Sequence, residues 1–121
     1  MPSSYNLAND IVNNYLKTSV CYVALFLNET QRDGSGTEIN APSYARKTIV
    51  FGTPVNGIVT NELDVVFDQA QEDWGITTFY GIYDAPTGGN LFFYDRLLFG
   101  ETIKAGETLR IPAEQLQLSV I

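Results

Sequence analysis

The sequence predicts a mainly β protein: a single antiparallel β-sandwich, Ig-like or jelly-roll-like, with one N-terminal α-helix. Three observations carry that expectation. One stretch alone has helical periodicity, most of the remaining sequence is a succession of short aromatic and β-branched runs, and turn-forming residues separate those runs. The 121 residues fit one domain, 1–121, and 45% of them are hydrophobic, enough to offset ordering entropy by burial.

Leu7, Ala8, Ile11, Val12, Tyr15 and Leu16 recur at steps of three and four, which predicts a helix over about 4–17 with these six side chains on one face. Ser3 or Ser4 suits its cap, and Lys17 complements the dipole in the last turn. Residues 20–27 are almost wholly apolar, the mark of a central strand buried on both faces. Residues 28–43 contain Asp33-Gly34-Ser35-Gly36 and Ala41-Pro42-Ser43, so they read as a long surface loop, the segment expected to move most. Strands follow at 44–51 and 58–60, with Asn56-Gly57 as a hairpin turn. The next expected strand is 63–67, with Leu63, Val65 and Phe67 alternating against Asp64. Residues 76–83 and 91–98 flank the turn-rich segment 84–90 and should pair as an antiparallel hairpin. Short strands at 102–104, 108–111 and 116–120 complete the series.

Charge and composition remove several classes of function. With 14 acidic against seven basic residues, the net charge of −7 repels nucleic acid and anionic membranes, and the scattered basic residues form no phosphate-tracking stripe. The start, Met-Pro-Ser-Ser-Tyr-Asn, lacks the basic and apolar regions of a secretory signal, so synthesis in a cytoplasm is expected. No apolar run approaches the length of a membrane span. There is no histidine, which rules out Ser-His-Asp and Cys-His nucleophile systems and the usual His-containing zinc sites. The one cysteine, Cys21, falls in the apolar run at 20–27, where a thiol behaves as a small hydrophobe.

Two groups of residues are candidates for chemistry or recognition. The carboxylates Glu62, Asp64, Asp68, Glu72 and Asp73 offer acid, base or nucleophile roles, or a Ca²⁺ site, but their spacing matches neither a glycosidase pair nor an EF-hand. A solvated acidic edge accounts for them more simply. The aromatics Trp74, Phe79, Tyr80, Tyr83, Phe92, Phe93, Tyr94 and Phe99 suit a carbohydrate platform if exposed, and a core or subunit interface if not. Gly34-Ser35-Gly36 and Gly88-Gly89 are turn glycines, since no helix follows them to hold a phosphate. No catalytic, cofactor-binding or metal-binding residue is assigned, and no cofactor is expected.

Several fragments are alike in order to one family. Tyr22-Val23-Ala24-Leu25-Phe26, Gly36-Thr37-Glu38, Tyr44-Ala45-Arg46-Lys47, Asn56-Gly57-Ile58-Val59-Thr60-Asn61 and Asp64-Val65-Val66-Phe67 are followed by Asp73-Trp74-Gly75 and Gly81-Ile82-Tyr83-Asp84-Ala85. Thr87-Gly88-Gly89-Asn90-Leu91 and Ile103-Lys104-Ala105-Gly106-Glu107 close the set, which resembles a family of small virion structural proteins of tailed bacteriophages, commonly labelled phage tail fibre proteins. The likeness covers nearly everything from residue 20 onward and departs in the N-terminal helix and the 28–43 loop.

The resemblance implies a non-enzymatic virion protein whose partners are other virion proteins, the major capsid protein or tail proteins. A non-repeating protein of this size folds to a compact brick about 30–40 Å across, better suited to covering a lattice than to forming a shaft. A head decoration (cement) protein is therefore the first expectation, with the N-terminal helix and the 28–43 loop as contacts. The alternative is a small tail fibre or tail-tip component binding a receptor or carbohydrate, which requires Trp74 and Tyr80 to be exposed. A two-carboxylate hydrolase is a third and weaker reading. A homo-oligomer is expected, with a trimer suggested by lattice and tail symmetry.

Overall fold

A computed structural model describes residues 4–28 and 36–119. Much of the loop expected to be the most mobile, residues 29–35, lies outside the described residues. In sequence order the elements are α1 (Tyr5–Ile11), a π-helical turn (Val12–Leu16), β1 (Cys21–Phe26), β2 (Lys47–Ile49), β3 (Ile58–Thr60), β4 (Val65–Val66), β5 (Gly75–Tyr83), β6 (Leu91–Ile103), β7 (Arg110–Ile111) and β8 (Gln117–Ser119).

Every strand pair is antiparallel, and the protein is mainly β, as expected. A four-stranded sheet runs β2-β1-β5-β6, and two ribbons, β3-β8 and β4-β7, supply the remaining pairing. Because successive strand residues point to opposite faces, Cys21, Val23 and Leu25 lie on one side of β1 with Tyr80 and Ile82 of β5. These join one large buried cluster with Val59, Leu118, Val65, Ile111 and Phe67 around the ribbons and Val12 and Leu16 of the π turn. The opposite face carries a smaller cluster, Ala24, Phe26 and Tyr83. An apolar run at 20–27 thus marks a strand with packing on both sides and a strand neighbour at each edge.

Gly81 shows how tightly the second face is packed. It sits opposite Ala24, and a Cβ there would come within 3.0 Å of Leu91 and Tyr83 and 3.1 Å of Phe26. Gly81→Ala is expected to destabilise by about 1–3 kcal/mol through overpacking, read as a lower urea midpoint at unchanged slope.

The turn at Asn56-Gly57 forms as the dipeptide predicts. Both residues have positive φ, +53° and +77°, while Val55 and Ile58 exchange two backbone hydrogen bonds of 2.9 Å. Pairing continues past it, with Gly52 donating to Thr60 and Glu62 donating to Val50.

Four expectations need correction. The strand expected at 44–51 is reduced to Lys47–Ile49, because Tyr44 and Arg46 turn their side chains into a polar network. Leu63, expected to face inward with Val65 and Phe67, is exposed, and the strand there spans only Val65–Val66. The strand at 102–104 is the far end of β6, which outruns the predicted hairpin. The helical periodicity is also divided, since α1 gives way to a π turn in which the Lys17 N–H donates to the Val12 carbonyl at 2.8 Å.

Candidate interaction surface

The first turn of α1 is fixed by Ser4, whose Oγ accepts the Leu7 N–H at 3.1 Å while its carbonyl accepts the Ala8 N–H. Of the six residues expected on one buried face, Ala8, Val12 and Leu16 are buried and complete the core. Leu7, Ile11 and Tyr15 are not: Leu7 is 54% exposed and Tyr15 56%. Spaced by four, these three form an apolar stripe beside the buried one. The helix is thus apolar over a wider arc than the core covers.

The stripe continues onto the sheet. In the β5-β6 register Ile82 faces Phe93 and Tyr83 faces Leu91, which leaves Phe92 as an extra residue in a β-bulge. Alternation breaks there, so Phe92 and Phe93 both pack on the large cluster, and the Phe92 ring reaches Tyr15 with centroids 5.7 Å apart. Asn9 anchors the helix from another side by accepting the Gly57 N–H on Oδ1 at 2.7 Å.

A second assembly, with no warning in hydrophobic periodicity, ties the end of the loop to the sheet. Arg46 donates from Nε and Nη2 to the two Glu38 carboxylate oxygens, 2.9 Å each, and from Nη1 to the carbonyls of Ala85 and Gly88. Its guanidinium lies 4.0 Å from the Tyr83 ring centroid, and its side chain is only 7% exposed. Burial works against the Arg46 charge, but the Glu38 hydrogen bonds and carboxylate charge outweigh it and hold its pKa above the ordinary value. Tyr44 donates to Glu38 at 2.5 Å and accepts the Leu25 N–H at 3.0 Å. Burial, followed by the Glu38 bond, pushes the Tyr44 phenol up. A cavity of about 280 Å³ lies against Glu38, Arg46, Tyr83 and Gly88. Four Arg46 donor bonds already have partners, so the network holds the loop rather than presenting a vacant cation to a ligand.

The acidic candidates are dispersed among separate partners. Asp64 accepts from Ala113 N–H and from Arg110, which together lower its pKa. Asp68 pairs with Lys47 at 2.8 Å. Glu72 accepts from the Ser43 hydroxyl at 2.6 Å and the Ser43 N–H at 2.8 Å, and these two bonds hold its pKa down. Asp73 accepts the Ala105 N–H, and Glu62 is exposed. Each of four carboxylates thus fastens a different segment. Among the described residues, no group of three or more His, Cys, Asp or Glu side chains is gathered for a metal ion.

The aromatic candidates divide by burial. Trp74, Tyr80 and Tyr83 are buried, Phe79, Phe92, Phe93 and Tyr94 are half-buried, and the side chain of Phe99 lies outside the described residues. Burial pushes the Tyr80 phenol up to about 12, with the Asp95 charge adding to it. Cys21 is buried, its thiol 3.9 Å from the Leu16 carbonyl and raised in pKa by burial first and Asp84 second. Among the described residues two polar side chains are fully enclosed, Thr77 and Asn61, each at 0% exposure, and Asn61 is the one with hydrogen-bond partners. Its side chain donates to the Leu63 and Pro112 carbonyls and accepts the Leu116 N–H.

A family model described as Podophage GP4 fiber I protein gp80 matches residues 2–119. The match includes the N-terminal helix, which the motif resemblance left out. No curated protein shows a significant match to this sequence.

Proposed function

The chain belongs to the podophage GP4 fiber I protein gp80 family, and from that premise we propose that it is a non-catalytic subunit of the tail fibre, docked on another virion protein through its N-terminal helix. The observation that carries the docking is the exposed Leu7, Ile11 and Tyr15 stripe, continuous with Phe92. A contiguous apolar ridge on a protein of net charge −7 has a free-energy reason to be covered, since its apolar area gains by leaving water. Covering by a second virion protein leaves the acidic remainder exposed.

Head decoration is the second reading, favoured by the short non-repeating sequence, which suits a brick on a lattice. The receptor- or carbohydrate-binding reading loses its main support, because Trp74 and Tyr80 are buried. A homo-oligomer remains part of the proposal, and the same stripe is available to it.

The test uses particles assembled with a variant protein in which Leu7→Gln, Ile11→Gln and Tyr15→Gln are combined. The triple variant should fold, losing about 1–2 kcal/mol because the replaced side chains are only partly covered in the folded protein, yet should be missing from purified virions. Wild-type protein, located by cryo-microscopy, should appear at the tail fibres. Density on the capsid would favour decoration, and wild-type incorporation of the variant would remove the helix from the interface.

A further inference from the structure

We propose that the Asn56-Gly57 turn is a deamidation site that the N-terminal helix holds closed. Asparagine followed by glycine is the pair most open to this reaction, because glycine has no Cβ to obstruct ring closure. The Gly57 backbone nitrogen loses its proton and attacks Cγ of Asn56. A new C–N bond forms, the Cγ–Nδ2 bond of Asn56 breaks, and ammonia leaves with the proton it needs. Water then adds to either carbonyl of the five-membered succinimide, giving aspartate or isoaspartate. Water is the only co-reactant, and no electrons are transferred.

Two features of the fold oppose the first step. The attacking nitrogen is held as an N–H donor to Asn9 Oδ1 at 2.7 Å, and Gly57 is buried although Asn56 is exposed. Donation to a neutral acceptor stabilises the protonated amide, the unreactive form. The turn also resists, because ring closure needs rotation about the Cα–C bond of Asn56, and Val55 and Ile58 hold the turn shut with their paired 2.9 Å bonds. Asn9 lies on α1, so the reaction reports on the docking of that helix. Each opening exposes the nitrogen, and each completed reaction adds a negative charge beneath the helix. The isoaspartate product also inserts a backbone methylene into a two-residue turn, which displaces β3 from its register.

The purified full-length protein, incubated at mildly alkaline pH, is followed by peptide mass spectrometry across Asn56 together with an isoaspartate assay. Folded wild type should convert far more slowly than the same protein in urea. Asn9→Ala should accelerate conversion roughly three- to tenfold, the ratio that loss of one hydrogen bond of ordinary net strength produces. Asn9→Asp, which keeps an acceptor oxygen, should stay near wild type. Hydrogen exchange on the wild type reads the Gly57 N–H without any variant and should find it protected. The proposal is overturned if Asn9→Ala, confirmed folded by circular dichroism, converts no faster than wild type, if the folded protein matches the urea rate, or if the Gly57 amide exchanges like an open loop. None of these results depends on where the protein sits in the particle.

Discussion

Replacing Trp74 with alanine is expected to destabilise the protein by about 4 kcal/mol, the range for emptying a buried tryptophan site. Trp74 is 4% exposed, its ring meets Tyr44 edge-on with centroids 5.6 Å apart, and its Nε1–H donates to Ser43 Oγ at 3.0 Å. Ser43 Oγ in turn donates to Glu72 and accepts the Gln71 N–H at 3.1 Å. The substitution therefore opens a cavity and removes one spoke from a polar hub. Trp74→Phe separates the two: it refills much of the volume and still lacks the indole N–H, so it should cost about 1–2 kcal/mol. Urea unfolding followed by far-ultraviolet circular dichroism measures both, since the variants lack the one tryptophan available for fluorescence. Equal costs for the two variants would show that the hydrogen bond, not the packed volume, carries the contribution.

Arg46→Met should cost about 3 kcal/mol, because it strands the Glu38 carboxylate in a partly buried setting without its cation. The two-point contact with Glu38, the bonds to Ala85 and Gly88, and the stack on Tyr83 are lost together. Arg46→Lys should recover little, since one ammonium cannot fork to a carboxylate and also reach two carbonyls. Adding Glu38→Gln to Arg46→Met should restore part of the loss by removing the stranded charge. A double-mutant cycle gives the coupling directly, and a value near zero would mean that the pair is no better than a solvent-exposed one.

The sheet was legible because burial writes itself into periodicity. The run at 20–27 announced β1, and turn residues at 84–90 announced the β5-β6 hairpin. The helix was legible as a helix but not in its exposure. Ile11 and Val12 are adjacent in sequence and share one apolar arc, and only the packed structure decides which of them the core takes. Glu38, Ser43, Arg46 and Asn61 gave no periodic signal, because a buried polar residue in a loop is specified by partners far along the sequence: Arg46 meets Gly88 and Asn61 meets Pro112. The fragments that resembled the phage family nevertheless contain most of these residues. Gly36-Thr37-Glu38, Tyr44-Ala45-Arg46-Lys47 and Thr87-Gly88-Gly89-Asn90-Leu91 meet at one partly buried ion pair, which supplies a physical reason for residue types that strand and turn grammar leaves unexplained. The acidic cluster is the opposite case, proximity in sequence that the fold does not keep. Its members are neighbours in sequence and disperse in space to Arg110, Lys47, Ser43 and Ala105.

β6 ends the four-stranded sheet, and among the described residues it has a strand partner on one side only. Its ladder with β5 is broken twice, at the Phe92 bulge and between Thr77 and Phe79, with Asp95 and Arg96 exposed between the breaks. A neighbouring strand that tried to extend the sheet would find no long, even row of backbone donors and acceptors to follow. This edge therefore discourages copies of the protein from zipping together along β6, and leaves side chains rather than backbone to decide what meets it there.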